Sequence, residues 1–128
     1  MKPEQFIREF GEKKAREVVE GAPDKTATHY VFRKIPSYYS VEFQSWYHDD
    51  EWWDSDCHTE QDLIDSYGSD FVLSLSDLKR LVESVDLVNS LGGIKAARSE
   101  AHKDCFVYNQ PLLAAIAAYE SIYGGGDD

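Results

Sequence analysis

From Ile35 to Leu78 the chain carries no lysine and no arginine. Those 44 residues hold eleven acids: Glu42, Asp49, Asp50, Glu51, Asp54, Asp56, Glu60, Asp62, Asp65, Asp70 and Asp77. They also hold nine of the aromatic residues: Tyr38, Tyr39, Phe43, Trp46, Tyr47, Trp52, Trp53, Tyr67 and Phe71. The rest of the chain has 13 basic and 13 acidic residues, so the whole formal net charge of −11 lies in this one third. A disordered acidic tail lacks rings. This segment has them, so it is expected to bury aromatic faces while its carboxylates stay wet, as a folded anionic surface.

That charge excludes some functions. A nucleic-acid binder that works by neutralising phosphates needs a basic footprint, and an anionic membrane needs a basic face. The longest apolar run, Leu112 to Tyr119, is too short to cross a bilayer. No charged-then-apolar leader opens the sequence, and two cysteines are too few for a disulfide scaffold. A cytoplasmic, reducing setting is therefore expected. With 128 residues, 42% hydrophobic and 29% charged, the chain fits one globular domain over residues 1–123 and a flexible tail over 124–128.

The fold class expected is α+β, with an N-terminal helical pair, a small antiparallel sheet and C-terminal helices packed on one face. Pro3 suits a first helical turn, and Phe6, Ile7 and Phe10 follow at helical spacing. Gly11 either weakens one helix or divides two, and Gly21 is the stop. Thr26 to Arg33 is β-rich, with Tyr30 and Phe32 alternating against His29 and Val31. Tyr39 to Tyr47 reads as one half-buried strand with Tyr39, Val41, Phe43 and Tyr47 inward. Trp46 then falls outward beside Glu42 and Gln44. Asp49-Asp50-Glu51 reads as a hairpin tip, Trp52-Trp53 opens a third strand, and Phe71 to Leu75 suits a short one, within a sheet of two to four strands. A helical turn is expected near Gln61 to Tyr67. Leu78, Leu81, Val82, Val85, Val88 and Leu91 keep a helical period between a Ser76 cap and Gly92-Gly93. Helices over Ile94 to His102 and after Asn109-Gln110-Pro111 complete the set. Phe6 to Ala15 also echoes Leu87 to Ala96 without gaps, each a helix that stops at glycine and restarts. Short amphipathic patterns recur freely, so chance accounts for the echo.

Two stretches, EGAPDKTATHYVF (Glu20 to Phe32) and SDLKRLVESVDLVNSLGG (Ser76 to Gly93), resemble the small accessory proteins of lambdoid phages and prophages. The resemblance runs in order through most of the chain, but its strict part is those two stretches. It implies a viral product acting in a bacterial cytoplasm, where such proteins often modify or block host functions. It brings no catalytic motif with it.

The residues themselves offer four readings. In the first, the anionic, aromatic segment competes with DNA for a basic groove on a host protein that handles nucleic acid, such as a restriction, CRISPR or recombination component. The expected contacts are Glu42, Trp46, Asp49, Asp50, Glu51, Trp52, Asp54 and Asp56. Carboxylates at i and i+2 of a strand would stand about 6.8 Å apart, and a homodimer would double the row. In the second, the same acids only keep sheet edges from pairing with other chains. In the third, Cys57, His58, His102 and Cys105 together hold zinc, although adjacent Cys and His ligands are unusual. Asp54 to Asp65 fails as a calcium loop, because Thr59 stands where glycine is needed. In the fourth, the chain is a structural or regulatory oligomer held through its helices. An enzyme is not expected. His48 beside Asp49, or Asp54 with Asp56 on Mg²⁺, lacks nearby cations unless folding brings up Lys79 or Arg80. No cofactor is expected.

Overall fold

The computed structural model describes residues 1–32, 35–48, 50–102 and 110–124. Gly11 divides the N-terminal segment: at φ +91° it ends helix α1 (Pro3–Phe10) and precedes helix α2 (Glu12–Glu20). A residue with a side chain rarely adopts that φ, so a single continuous helix is replaced by two at an angle. The echo segment does the same. Helix α4 (Leu75–Ser90) stops where Gly92 and Gly93 take φ +101° and +113°, their N–H groups donating to the Asn89 and Val88 carbonyls, and helix α5 (Ile94–His102) follows. Helix α6 (Gln110–Tyr123) has Pro111 in its first turn, as expected, whereas Asn109 lies outside the described residues.

Between the helix groups lies a five-stranded antiparallel sheet, one strand more than the sequence pattern suggests. Its strands are β1 (His29–Val31), β2 (Ser37–Ser40), β3 (Ser45–His48), β4 (Glu51–Asp54) and β5 (Val72–Ser74), in the order β4-β3-β2-β1-β5. Helix α3 (Glu60–Tyr67) crosses from β4 to β5. It starts at a capping box: Thr59 accepts from the Asp62 N–H, and the Asp62 carboxylate accepts from the Thr59 N–H. The Thr59 that spoils a calcium loop is thus a helix cap. The cap of α4 is Ser74, two residues before the expected Ser76, and its hydroxyl accepts from the Asp77 N–H.

Both faces of the sheet are covered. On one, Tyr30, Phe32, Tyr38 and Leu73 pack against Phe6, Ile7, Ala15, Val18, Leu78, Leu81 and Val85 of the helical layer. On the other, Val31, Tyr39, Trp46 and Val72 pack against Leu63 of α3. A third cluster joins α4, α5 and α6 through Val88, Ile94, Ala97, Leu112 and Ile116. The architecture is α+β, with the N-terminal and C-terminal helices on one face. Among the described residues, no helix is long and apolar enough to cross a membrane.

The expected strand from Tyr39 to Tyr47 is instead a hairpin. Residues 41–44 turn, with Gln44 at φ +53°. The turn is held by its flanking serines: the Ser40 hydroxyl accepts from the Phe43 N–H at 3.2 Å, and the Ser45 hydroxyl donates to the Phe43 carbonyl at 2.9 Å. The four-residue turn breaks the alternation, so Tyr39 shares a face with Trp46 rather than with Tyr47. Trp46, expected outside among acids, is 8% exposed, with its ring 4.6 Å from that of Tyr39 and 5.5 Å from that of Tyr67.

Candidate functional site

Three arginines of the helical layer, Arg8, Arg16 and Arg98, bond within that layer. Arg8 donates to the Ile122 and Ser121 carbonyls at 2.7 Å, at the end of α6, where carbonyls lack helical partners. Arg16 pairs with Glu12 and with Asp86 of α4. The Arg16 guanidinium holds the Asp86 carboxyl below the usual carboxylate range. Arg98 pairs with Glu120 at 2.9 Å.

The cation-free segment folds into β2, β3, β4, α3 and β5. Glu42, Asp50, Glu51, Asp54 and Asp56 are all exposed, and no ion pair among the described residues involves any of them. The pairs that do reach the segment are His29 with Glu60 and Arg80 with Asp77. The acids do not share one face. Strand β4 is the open edge of the sheet, with Glu51 and Trp53 on one side of it and Trp52 and Asp54 on the other. The expected i, i+2 row of carboxylates is therefore absent from β4. The acids form a rim instead. At one end Asp50, at φ +63°, lies in the turn joining β3 to β4, a conformation that Asp tolerates better than most residues. At the other end the Ser55 N–H donates to the Gln44 carbonyl at 2.7 Å, which brings the Glu42-Phe43 turn beside Asp54 and Asp56.

Two rings stand on this rim: Phe43 is 58% exposed and Trp53 is 53% exposed. Neither is among the eight expected contacts, although Trp53 belongs to the Trp- and Tyr-rich set that the sequence offers as interface anchors or core. The serines around the turn were the available signal for Phe43, since they favour a tight reversal. Trp52 is half-buried, its ring 5.2 Å from that of Tyr47. Of the eight expected contacts, five acids and Trp52 lie along β4 and its two turns, Trp46 is in the core, and Asp49 lies outside the described residues.

The proposed zinc set does not assemble within the described residues. Cys57 is half-buried with its sulfur 4.0 Å from the Ser66 hydroxyl, and His58 is exposed, its N–H donating to Asp62 at 2.8 Å. Cys105 and the side chain of His102 lie outside the described residues. Among those described, no three His, Cys, Asp or Glu converge as a metal site requires.

A second locus was not legible in the sequence. A cavity of about 770 Å³ opens where the loop before β1, the start of α3 and the start of α4 meet. His29, 7% exposed, forms its wall. Its Nε2 lies 2.7 Å from Glu60 Oε2 and its Nδ1 2.8 Å from the Thr28 hydroxyl. That hydroxyl also accepts from the Val41 N–H at 3.0 Å. Both imidazole nitrogens are engaged, so the ring fastens α3 to the sheet and offers no free base. Lys79 lines this cavity together with Glu60, and the lining does not include Asp54 or Asp56.

Comparison with known protein families, with curated proteins and with solved structures finds no match.

Proposed function

We propose that the protein is a non-enzymatic binding module whose anionic edge, β4 with its two turns, occupies a basic surface on a partner protein. One observation carries this reading. Glu42, Asp50, Glu51, Asp54 and Asp56 have no cationic partner among the described residues, while Arg8, Arg16 and Arg98 are held inside the helical layer. An internally balanced protein would have spread its arginines over both parts. Phe43 and Trp53 give the rim apolar anchors beside its charges, and Trp is enriched among the residues that dominate interfaces.

Magnitude narrows the kind of partner. Glu51 and Asp54 stand roughly 10 Å apart along the strand, a length in which one DNA strand carries about three phosphates. The rim is therefore a sparse imitation of DNA, suited to part of a basic groove and not to a long track. Taken with the resemblance of Glu20 to Phe32 and Ser76 to Gly93 to phage accessory proteins, the favoured partner is a bacterial protein that handles nucleic acid, and binding blocks it.

The simpler reading, that the acids only stop β4 from pairing with other chains, makes the opposite prediction. The test is capture from a bacterial lysate with the wild-type chain and with Asp49, Asp50 and Glu51 all changed to Lys. The wild type should retain a nucleic-acid-handling protein that the triple variant releases. Retention should fall with salt, because exposed charges are screened beyond about 10 Å at 0.1 M. Equal retention by both chains would contradict the proposal.

A further inference from the structure

We propose that the cavity beside His29 binds a small organic anion: a carboxylate or phosphate head on an apolar body. This is independent of the rim. At about 770 Å³ the cavity falls within the range of small-molecule sites. Its apolar wall comes from four places: Val19 and Ala22 around the end of α2, Ala27 before β1, Val41 after β2, and Leu75 at the start of α4. That surface suits a hydrocarbon or ring body.

The charged groups decide what the head must be. Four line the cavity: Asp24, Glu60, Lys25 and Lys79. Both acids already have donors. Asp24 accepts from the Thr26 N–H at 2.8 Å and from the Thr26 hydroxyl, and Glu60 is held by His29 at 2.7 Å. Neither lysine is held in this way. No ion pair among the described residues involves Lys25, and Lys79 has only a 4.0 Å approach to Glu83, each about two-thirds exposed. Lys79 follows Leu75 by one helical turn, so the two share a face of α4, with the leucine buried and the lysine exposed where it lines the cavity. Lys25 reaches the same mouth from the loop before β1. The Ser74 and Ser76 hydroxyls, 3.2 Å apart, add an uncharged donor on the α4 side. The unsatisfied capacity of the site is thus two ammonium groups, and the one serine O–H that the Ser74–Ser76 bond leaves free, over an apolar floor. A cation would meet carboxylates that are already engaged, and a neutral hydrocarbon would leave the ammonium groups without a partner.

The test is an NMR titration of the ¹⁵N-labelled full chain with benzoate, phenyl phosphate and benzylamine, which carry similar bodies and different heads. Benzoate or phenyl phosphate should shift the amides of residues 24–29 and 74–79 with Kd near or below ~1 mM. Benzylamine should leave those amides in place. Changing Lys25→Gln and Lys79→Gln should each weaken binding about tenfold, the size of one hydrogen bond to a charged group. Both lysines are exposed, so neither change threatens the fold. Three results would each overturn the proposal: no shift with either anion at about 10 mM, benzylamine binding as tightly, or a double lysine variant that binds like wild type.

Discussion

The helical layer and the sheet edge handle charge in opposite ways. In the layer of α1, α2, α4, α5 and α6, each described arginine pair joins two helices or two turns of one: Arg16 links α2 to α4, Arg98 links α5 to α6, and Arg8 ties α1 to the last turn of α6. Their charges are local and mutual. Along β4 and its turns the carboxylates face water, with rings between them. Exposed like charges destabilise a compact state slightly, and among the described residues no ion pair offsets that repulsion. The difference teaches that the acids at the edge are not there to hold the protein together. That contrast is the basis for proposing the edge as a binding surface.

Two facing tryptophans of β3 and β4 offer the sharpest way to break this comparison. Trp46 and Trp53 are paired residues on adjacent strands, yet one is 8% and the other 53% exposed. Trp46→Ala should lower stability by about 3–5 kcal/mol, the usual cost of removing a buried large ring, as read by urea unfolding. Trp53→Ala should cost less than about 1 kcal/mol by the same measurement while weakening capture of the partner. A Trp53 variant as unstable as the Trp46 variant would make the edge part of the core and remove its exposed anchor.

The joint between the two regions gives a smaller effect. Tyr38 reaches from β2 to α2, where its hydroxyl donates to the Val18 carbonyl at 2.6 Å. Burial pushes its phenol up to about 12. The folded chain then keeps a proton that the unfolded chain releases near pH 10. The contribution is whole below pH 10 and is lost as pH rises through 12. Tyr30 and Tyr39 are shifted the same way by burial. Stability should therefore fall between pH 10 and 12, with a share from Tyr38 on the order of 1 kcal/mol after allowing for its partial exposure. Tyr38→Phe should flatten that slope, measured by urea unfolding at several pH values. An unchanged slope would place the hydroxyl in water rather than at the joint.

What the sequence revealed follows from how local each signal is. The α4 period from Leu78 to Val88 and the glycine that divides α1 from α2 are written within a few residues, and both were legible. The β2–β3 hairpin was not. Its alternation from Tyr39 to Tyr47 reads like one strand, and only the Ser40 and Ser45 hydroxyls around a four-residue turn reveal the reversal. That single error inverted Trp46 and hid Phe43. The acidic rim was legible as composition, because the missing cations span a continuous segment. Its geometry was not, since pairing of β3 with β4 decides which acids share a side. The cavity was invisible for a different reason: the Lys25 to His29 stretch, Glu60 and Lys79 are far apart in the chain and meet only through the fold.

Hydrogen exchange on the wild-type chain, free and bound to the partner it captures, tests the role of the edge most directly. Slower exchange on binding should be concentrated in residues 42–43 and 50–56, with α4, α5 and α6 unchanged. Protection confined to those helices, with β4 and its turns exchanging as in the free protein, would contradict the account.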